Sequence, residues 1–425
     1  MKICIVGAGS TYSPELIEGI ILKKDQLPLE ELYLMDIDDR KLNIVGSLCK
    51  RMIEASGIDA KVILTKNLDE ALVNADFVLA QIRVGKLFAR ILDEKIPLKY
   101  DLIGQETCGI GGFFKAMRTI PVMIDIVHRM EVLCPNAWLI NFSNPSGIIA
   151  QALLTKTKVK MMGLCNVPIN MIDGVKKRLN LPNAEVEYLG LNHLTYITAI
   201  RDNGVDYLQK AISEGINSEA MKNIPSSGFP ADAIKAIGAI PSSYLEYYYY
   251  KDEKLKKLKE IEKSRGEVCV GIEEDLLKLY ENAELHEKPA LLSKRGGARY
   301  SEAAISLVDA IWNDKQEVHV VNILNKGALP FLGDDDAVEV SAIIGKDGPT
   351  PIKVENFKNR HIIEYVQMIK AFERHTVEAA VLGSDEEAMR AFLINPLISD
   401  YKKAKACYEE LKEVHKDYLP QFNKK

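Results

Sequence analysis

The sequence predicts an α/β protein in which an N-terminal Rossmann-like, doubly wound parallel sheet is followed by an α+β domain. Three observations indicate this. Apolar strand-like segments alternate with helical ones over about the first 170 residues. A glycine turn, Gly7-Ala8-Gly9-Ser10, separates the first strand from the first helix. After that, hairpin and charged helical patterns replace the alternation. We therefore predict two closely packed domains, over residues 1–170 and 171–425, with a cleft between them.

The elements of the first domain follow from apolar periodicity. The opening MKICIV is almost wholly apolar, as expected for a strand buried on both faces, and a helix over about 13–22 follows, with Pro14 suited to its first turn. Helices are then predicted near 39–56, 68–74 and 113–133, and strands at ELYLMDID, KVILT, DFVLAQIRV, AWLINFSNP and KMMGLCNVP.

The second half shows other patterns. VEYLGLNHLTYITAIRDNGVDY predicts strands with a turn at Asp202-Asn203-Gly204, and places His193 in an otherwise apolar strand. Residues 251–285 predict helix with a solvated charged face. VHVVNILN and AVEVSAII predict two more strands, and the last 70 or so residues are mostly helical in pattern.

Composition excludes several classes of protein. The chain has 425 residues, 47% of them hydrophobic and 27% charged, which is typical of a folded globular protein. Its net charge of −5 gives no global attraction for nucleic acid. It has neither a secretion-signal pattern nor an apolar run near the roughly 20 residues of a membrane span. Seven scattered cysteines predict no disulfide framework. We expect a cytoplasmic protein that binds neither nucleic acid nor membrane.

The glycine turn is in the right place for a dinucleotide site. Backbone N–H groups of Gly7, Gly9, Ser10 and Thr11 would lie between a strand and a helix N-terminus, where a pyrophosphate binds. Asp36, at the end of the second strand, is where a carboxylate accepts hydrogen bonds from the adenosine ribose of NAD. The third glycine of the common fingerprint is absent, so a simple glycine turn and a surface aspartate in DIDD are the alternatives.

Three polar segments stand out from apolar surroundings, at 83–112, at 141–147, and at 163–168 followed by 190–194. Asn144 follows a strand at the carboxyl edge of the sheet, where such folds bind ligands. Cys165 and His193 could be the sulfur and nitrogen ligands of a divalent metal, but without a paired spacing each is individually more typical of a buried core residue. Tyr244 begins a tyrosine cluster that is more often aromatic packing than catalysis.

The order of these motifs resembles one known family. VGAGSTYSPEL, the segment ending GQETCGIGG, NFSNPSG, GLCNVPIN, GLNHL, SSYLEYY and KRGGARYS are together similar to the NAD- and metal-dependent glycoside hydrolases of family 4, in their 6-phospho-β-glucosidase branch. The resemblance spans the whole chain. It implies a lactate/malate dehydrogenase-like architecture, NAD and Mn²⁺ or another divalent ion as cofactors, and a homodimer or homotetramer.

Carried over by position, the resemblance assigns roles to individual residues. It makes Cys165 and His193 the metal ligands and Tyr244 the catalytic base. It places Gly7, Gly9, Ser10, Thr11 and Asp36 against NAD. The residues it places near the sugar or its phosphate are Arg90, Asn144, Asn166, Arg265 and Arg295. The motifs around Arg265 and Arg295 match the family less closely than the others.

Asn166 stands where α-specific members have an acidic aspartate, and an amide cannot donate that proton, so a β-linked substrate such as phosphorylated cellobiose is expected. The implied reaction is oxidation at C3 by NAD⁺, removal of the C2 proton by Tyr244, elimination of the aglycone, addition of water and re-reduction. An α-specific or other family 4 glycosidase, a 2-hydroxy-acid dehydrogenase and a non-catalytic NAD-binding protein are the alternatives.

Overall fold

The computed structural model describes residues 1–218, 226, 228–295, 299–398 and 400–422. The strands are β1 (Lys2–Val6), β2 (Glu31–Met35), β3 (Lys61–Thr65), β4 (Phe77–Ala80), β5 (Trp138–Asn141), β6 (Lys160–Gly163), β7 (Glu185–Leu191), β8 (Leu194–Asp202), β9 (Val205–Asp206), β10 (Ile240–Pro241), β11 (Glu317–Leu324), β12 (Ala337–Gly345) and β13 (Gly348–Pro351).

The α-helices are α1 (Ser13–Leu22), α2 (Asp39–Ser56), α3 (Leu68–Leu72), α4 (Lys86–Lys99), α5 (Gly109–Leu133), α6 (Ser146–Lys156), α7 (Val167–Leu179), α8 (Leu208–Ser213), α9 (Ala231–Ile237), α10 (Glu246–Tyr249), α11 (Lys251–Glu260), α12 (Arg265–Tyr280), α13 (Tyr300–Trp312), α14 (Arg360–Leu382), α15 (Asp385–Ile394) and α16 (Tyr401–Val414). Short 3₁₀ turns lie at Ser243–Leu245, Ala290–Arg295, Lys416–Tyr418 and Pro420–Phe422.

The main sheet contains the predicted doubly wound arrangement. Its parallel strands run in the order β3-β2-β1-β4-β5-β6, which is the order of two mononucleotide-binding halves that meet between β1 and β4. Every residue of β1 is buried, because helices cover both faces of the sheet. The predicted fold class is confirmed. The glycine turn follows β1, so it lies beside the point where the two halves of the sheet meet.

The sheet does not stop with the first half of the chain. Antiparallel strand β11 pairs with β6 through Asn322 and Gly163, and β12 and β13 continue outward from it, so nine strands of the described residues form one sheet. The predicted division near residue 170 remains a prediction, because this sheet is built from both sides of it.

The second half of the chain also forms a smaller sheet, from β7, β8, β9 and β10. Strands β7 and β8 pair as an antiparallel hairpin from Glu185↔Arg201 to Leu191↔Leu194. The predicted turn after Asp202 is confirmed, since Asn203 and Gly204 both have positive φ between β8 and β9. The position of His193 differs from the prediction. With Asn192 it forms the two-residue turn between β7 and β8, at a φ of 69°.

Other features qualify the sequence predictions. Helix α4 was not predicted, because its polar residues hid the pattern, and it begins after Gly85 at a φ of 79°. None of the seven cysteines forms a disulfide bond, as expected. Within the part of the chain that the structure describes, no helix is both long and apolar enough to span a bilayer.

Candidate active site

The glycine turn after β1 is shaped by close backbone contacts. Gly7 has a φ of 89°, and a Cβ there would lie 2.9 Å from the carbonyl oxygen of Gln81 on the neighbouring chain segment. The N–H of Gly9 donates to Oδ2 of Asp36 at 2.8 Å, and a Cβ on Gly9 would meet the same oxygen at 2.9 Å. A side chain at Gly7 would therefore require the backbone to move, whereas one at Gly9 would displace the carboxylate of Asp36, which the N–H of Gly9 holds after β2.

A cavity of about 820 Å³ opens beside this turn. Its walls include Gly7, Gly9, Ser10, Asp36, Arg83, Arg90, Glu106, Lys115, Asn144 and Arg295. Thr11 lies outside this lining and is fully buried, with its hydroxyl accepting a hydrogen bond from Arg295. The cavity lies at the carboxyl ends of the parallel strands, where this fold class binds dinucleotides.

Arg90 lies on the cavity wall in a cluster of buried charges. Its guanidinium pairs with Glu94 at 2.7 Å and with Glu106 at 3.0 Å. Glu106 also pairs with Arg83 at 2.6 Å and with Lys115 at 2.7 Å. Three cations thus face two carboxylates, which leaves an excess positive charge for an anion.

Burial favours the neutral form of Lys115. Removal from water, with the repulsion from Arg83, lowers the pKa of Lys115 to about 7, although Glu106 opposes the change. The neighbouring cations hold the pKa of Glu106 well below its usual range against the opposite effect of burial. The carboxylate is ionised and the lysine is the titrating member of the cluster near neutral pH.

The other predicted sugar-contacting residues lie in different surroundings. Asn144 lies on the cavity wall after β5, in a cis Asn144–Pro145 bond, and its buried Oδ1 has no hydrogen-bond partner among the described residues. Arg295 is also on the wall, 3.7 Å from Glu273. Arg265 is outside the lining and donates to the main-chain carbonyls of Lys294 and Arg295. Asn144 and Arg295 can reach a ligand in the cavity, whereas Arg265 supports the segment that carries Arg295.

Cys165, His193 and Tyr244 come together although they are far apart in sequence. Sγ of Cys165, in the loop after β6, lies 3.6 Å from Nε2 of His193. The imidazole of His193 stacks on the ring of Tyr244, and all three residues are buried. Burial, with a contribution from Lys115, lowers the pKa of His193 to about 3, so its imidazole is neutral and can be a metal ligand. These three residues lie outside the lining of the cavity.

The separation of sulfur and nitrogen fits ligands of one ion. With a metal–sulfur bond of about 2.3 Å and a metal–nitrogen bond of about 2.1 Å, two ligands at an angle of about 90–109° lie roughly 3.1–3.6 Å apart. In the ranges described, no cluster of three or more His, Cys, Asp or Glu side chains is arranged to hold a metal. Cys165 and His193 therefore fit a site that leaves coordination positions for substrate oxygens.

The turn that carries His193 is held by a hydrogen bond between Asn192 and Glu339 of β12. The buried carboxylate of Glu339 accepts from Nδ2 of Asn192 at 2.9 Å, from Nδ2 of Asn322 at 3.0 Å and from the hydroxyl of Tyr188 at 3.0 Å. Burial raises the pKa of Glu339, while these three hydrogen bonds favour its charged form. Asn192 is thereby fixed beside His193 in a left-handed turn.

Sequence reasoning missed several residues of this site. Arg83, Glu106 and Lys115 lie in or just after the polar segment at 83–112, and their charges amid glycines and apolar residues were the available signal. Glu339 is the charged residue within the apolar run AVEVSAII, which is unusual for a strand buried on both faces.

Asn166 follows Cys165 and precedes α7. It is buried at the N-terminus of that helix, and its backbone carbonyl accepts from the N–H of Asn170. An amide at this position adds no charge beside the thiol of Cys165. The residue adjoining the proposed metal ligand is therefore neutral at every pH.

Solved structures with a similar fold were found by comparison. A malate dehydrogenase from Plasmodium falciparum with NADH has a TM-score of 0.54 at 13% identity, over 90% of this chain and 99% of the other, which shows similarity of fold alone. A 6-phospho-β-glucosidase from Thermotoga maritima, solved with manganese, NAD⁺ and glucose-6-phosphate, has a TM-score of 0.89 at 32% identity, over 98% and 99% of the two chains. The expected dehydrogenase-like architecture is confirmed.

Sequence comparison gives the family. A protein of Bacillus subtilis named a probable 6-phospho-beta-glucosidase is 45% identical over 99% of this chain and 98% of its own length. The profile of the family 4 glycosyl hydrolases matches residues 2–181, and that of the family's C-terminal domain matches residues 188–398. The resemblance seen in the motifs is confirmed, and the chain belongs to family 4 of the glycosyl hydrolases.

Proposed function

We propose that the protein hydrolyses 6-phospho-β-glucosides, such as phosphorylated cellobiose, with NAD and Mn²⁺ or another divalent ion as cofactors. The observation that carries the proposal is the grouping of Cys165, His193 and Tyr244 near a dinucleotide-type cavity. The relatives with this activity or with these cofactors support it. The finer expectations, a cytoplasmic homodimer or homotetramer, belong to the same proposal.

The cavity residues fit NAD. Asp36 is held at the end of β2 by the N–H groups of Gly9 and Asp38, so its carboxylate faces the place of an adenosine ribose. A carboxylate at that point repels the 2′-phosphate of NADP. Gly7 and Gly9 lie on the cavity wall in the turn before α1, where dinucleotide-binding folds hold the pyrophosphate.

The residues divide the reaction between them. When bound, NAD would supply reversible hydride transfer at C3 of the sugar, so that C3 ends each cycle in its starting oxidation state, and a divalent ion would supply Lewis acidity there. Tyr244, as phenolate, takes the proton from C2, and the electron pair left at C2 expels the aglycone oxygen from C1. Tyr244 returns the proton to C2 after water has added at C1. Cys165 and His193 would hold the ion, and a positive ion beside the stacked ring of Tyr244 would favour the phenolate.

The cluster around Glu106 fits the substrate phosphate. Arg83, Arg90 and Lys115 leave an excess of positive charge on the cavity wall, and Asn144 offers an unused amide oxygen to a sugar hydroxyl. A phosphate dianion would be bound by hydrogen bonds from guanidinium and ammonium groups that are already ordered.

Chromogenic α- and β-glucosides, each with and without a 6-phosphate, test the proposal when assayed with NAD⁺ and Mn²⁺. We expect release of the chromophore from the phosphorylated β-glucoside without net formation of NADH. Action on the α-anomer alone would overturn the interpretation of Asn166, and action only on unphosphorylated sugars would overturn that of the cationic cluster. Net NADH from 2-hydroxy acids would instead identify a dehydrogenase.

A further inference from the structure

The segment after α16 forms part of the cavity wall, although it lies beyond the residues that the two family profiles match. The second profile ends at residue 398, whereas Tyr418 is among the residues that line the cavity. Tyr418 lies in the 3₁₀ turn Lys416–Tyr418 and remains 40% exposed. The role of this tyrosine is not explained by the chemistry at Cys165, His193 and Tyr244.

Buried contacts hold the segment in place on both sides of Tyr418. Before it, Nε2 of His415 lies 2.9 Å from Oδ1 of Asp93, which also pairs with Arg118 at 3.0 and 2.6 Å. After it, Nε2 of Gln421 donates to the carbonyl of Met117 at 2.9 Å. These contacts join the segment to α4 and α5, so the position of Tyr418 is fixed by the fold.

Tyr418 lies at the end of the cavity that the adenosine would occupy. A Cβ on Gly85 would be 3.5 Å from Cε2 of Tyr418. The next residue, Lys86, pairs with Asp38 at 2.7 Å, two residues beyond Asp36. The hydrogen bond to Asp38 is the main cause of the raised pKa of Lys86, and the proximity of Tyr418 adds to it. Tyr418 is therefore near the end of β2, where the ribose carboxylate lies.

The same cavity has exposed apolar side chains in its walls. Ile37, which follows Asp36, is 81% exposed, and Val122 of α5 is 40% exposed, and both line the cavity. Apolar side chains exposed together inside a cavity are what a flat, apolar-faced ligand covers. An adenine ring has such faces, and aromatic side chains stack on bases of any kind.

We propose that Tyr418 is a binding residue for the adenosine half of NAD, and that the segment after α16 is a structural part of the cofactor site. The phenol ring packs against the adenosine, and the Asp93–His415 contact holds it there. This inference rests on NAD being the cofactor, as in the proposed function, but it concerns binding and not turnover.

Calorimetric titration of the full-length protein with NAD⁺, AMP and nicotinamide mononucleotide tests this inference. For Tyr418→Ala we expect a roughly tenfold rise in the Kd of both NAD⁺ and AMP. The Kd of nicotinamide mononucleotide should stay unchanged. Tyr418→Phe, which keeps the ring, should bind NAD⁺ like the unaltered protein. Tyr401→Ala is the matched control, because Tyr401 is 48% exposed on α16 and lies outside the cavity lining.

An unchanged Kd for NAD⁺ in a folded Tyr418→Ala protein would overturn the inference, as would equal weakening of AMP and nicotinamide mononucleotide. Melting curves without nucleotide establish that the variant is folded. If Tyr418→Ala does not fold, Tyr418→Leu keeps an apolar contact with Gly85 without a ring, and the same rise in Kd is expected. Failure of NAD⁺ to bind the unaltered protein would overturn the proposed cofactor and this inference with it, whereas a weakening confined to nicotinamide mononucleotide would overturn the role of Tyr418 alone.

Discussion

The imidazole of His193 and the phenol ring of Tyr244 are stacked, with ring centroids 3.8 Å apart and an interplanar angle of 16°. The residue proposed to hold the metal therefore touches the residue proposed to move the proton. A change at either residue is expected to affect different measurable steps, and this allows their roles to be separated.

Replacing Tyr244 by Phe removes the hydroxyl and keeps the stacked ring. We expect kcat to fall by about 10²–10⁴-fold, because the base is lost, while the Kd of NAD⁺ stays nearly unchanged. Exchange of the substrate C2 hydrogen with deuterated water, followed by NMR, should also stop. Tyr250→Phe is the control, since the buried hydroxyl of Tyr250 has no hydrogen-bond partner in the described parts of the chain. Continued C2 exchange in Tyr244→Phe would assign the base to another residue.

Replacing Cys165 by Ser, or His193 by Asn, removes one proposed metal ligand. We expect a large loss of Mn²⁺ affinity in each variant, measured by the EPR signal of free Mn²⁺, since a hydroxyl or amide is a poorer ligand than a thiolate or imidazole. Cys134→Ala, at the C-terminal end of α5, should bind Mn²⁺ normally. Normal Mn²⁺ affinity in both ligand variants would remove the metal from this position. Exhaustive chelation of the unaltered enzyme should abolish its activity.

The buried ammonium of Lys115 predicts a pH dependence of phosphate binding. Its pKa is lowered to about 7, so the group is charged below that pH and neutral above it. The Kd of glucose 6-phosphate should therefore rise between pH 7 and pH 9, and binding at pH 8 should take up a proton. Calorimetry in buffers of different ionisation enthalpy measures this uptake.

Lys115→Met should remove both the proton uptake and the rise in Kd. Lys416→Met, at an exposed position, should retain them. A Kd that stays constant from pH 7 to pH 9 in the unaltered protein would show that Lys115 does not contact the phosphate.

Glu339 is predicted to position the turn of His193 without touching the substrate. Glu339→Gln replaces an acceptor of three hydrogen bonds by an amide whose NH₂ group faces other donors. We expect Mn²⁺ affinity to fall by about 10–100-fold, with a smaller effect on the Kd of NAD⁺. Glu364→Gln on the exposed face of α14 is the control. Equal losses in Mn²⁺ and NAD⁺ affinity would indicate general destabilisation and not a positioning role.

The buried contacts of Asp93 predict a large effect on stability. Asp93→Asn would leave the guanidinium of Arg118 buried without its carboxylate, which costs about 3–5 kcal/mol in similar cases. Urea unfolding measures the free energy of unfolding. Glu253→Gln, in an exposed pair with Lys257, should leave stability unchanged. A stable Asp93→Asn protein would mean that Arg118 finds another partner or water.

The sequence predicted the parallel sheet well, because its strands are apolar on both faces and alternate with helical segments. The turn at His193 was not predicted, since Asn192 and His193 lack the glycine that usually marks a tight hairpin and their neighbours are apolar. The pairing of β11 with β6 was also not predictable, because it depends on packing between segments that are more than 150 residues apart. Propensity describes local structure and carries no information about such pairs.

The candidate site was predicted in part. The proposed metal ligands and the proposed base came from motif resemblance, since Cys165 and His193 have no spacing that signals a metal. The cluster of Glu106 and Lys115 was missed, because only the fold shows that four charged groups converge from the turn after β4, from α4, from α5 and from the loop before α5. Charges amid glycines and apolar residues marked the segment as unusual, but they did not show which of its side chains meet.

The strand β6 pairs on one side with β5 and on the other with β11, and this has a consequence for synthesis of the chain. During translation β6 emerges long before β11, so its outer edge waits without a partner while roughly 150 further residues are made. An unpaired edge of this kind can associate with other chains. The nascent N-terminal half is therefore expected to depend on chaperones, and a fragment ending near residue 181 to be prone to aggregation.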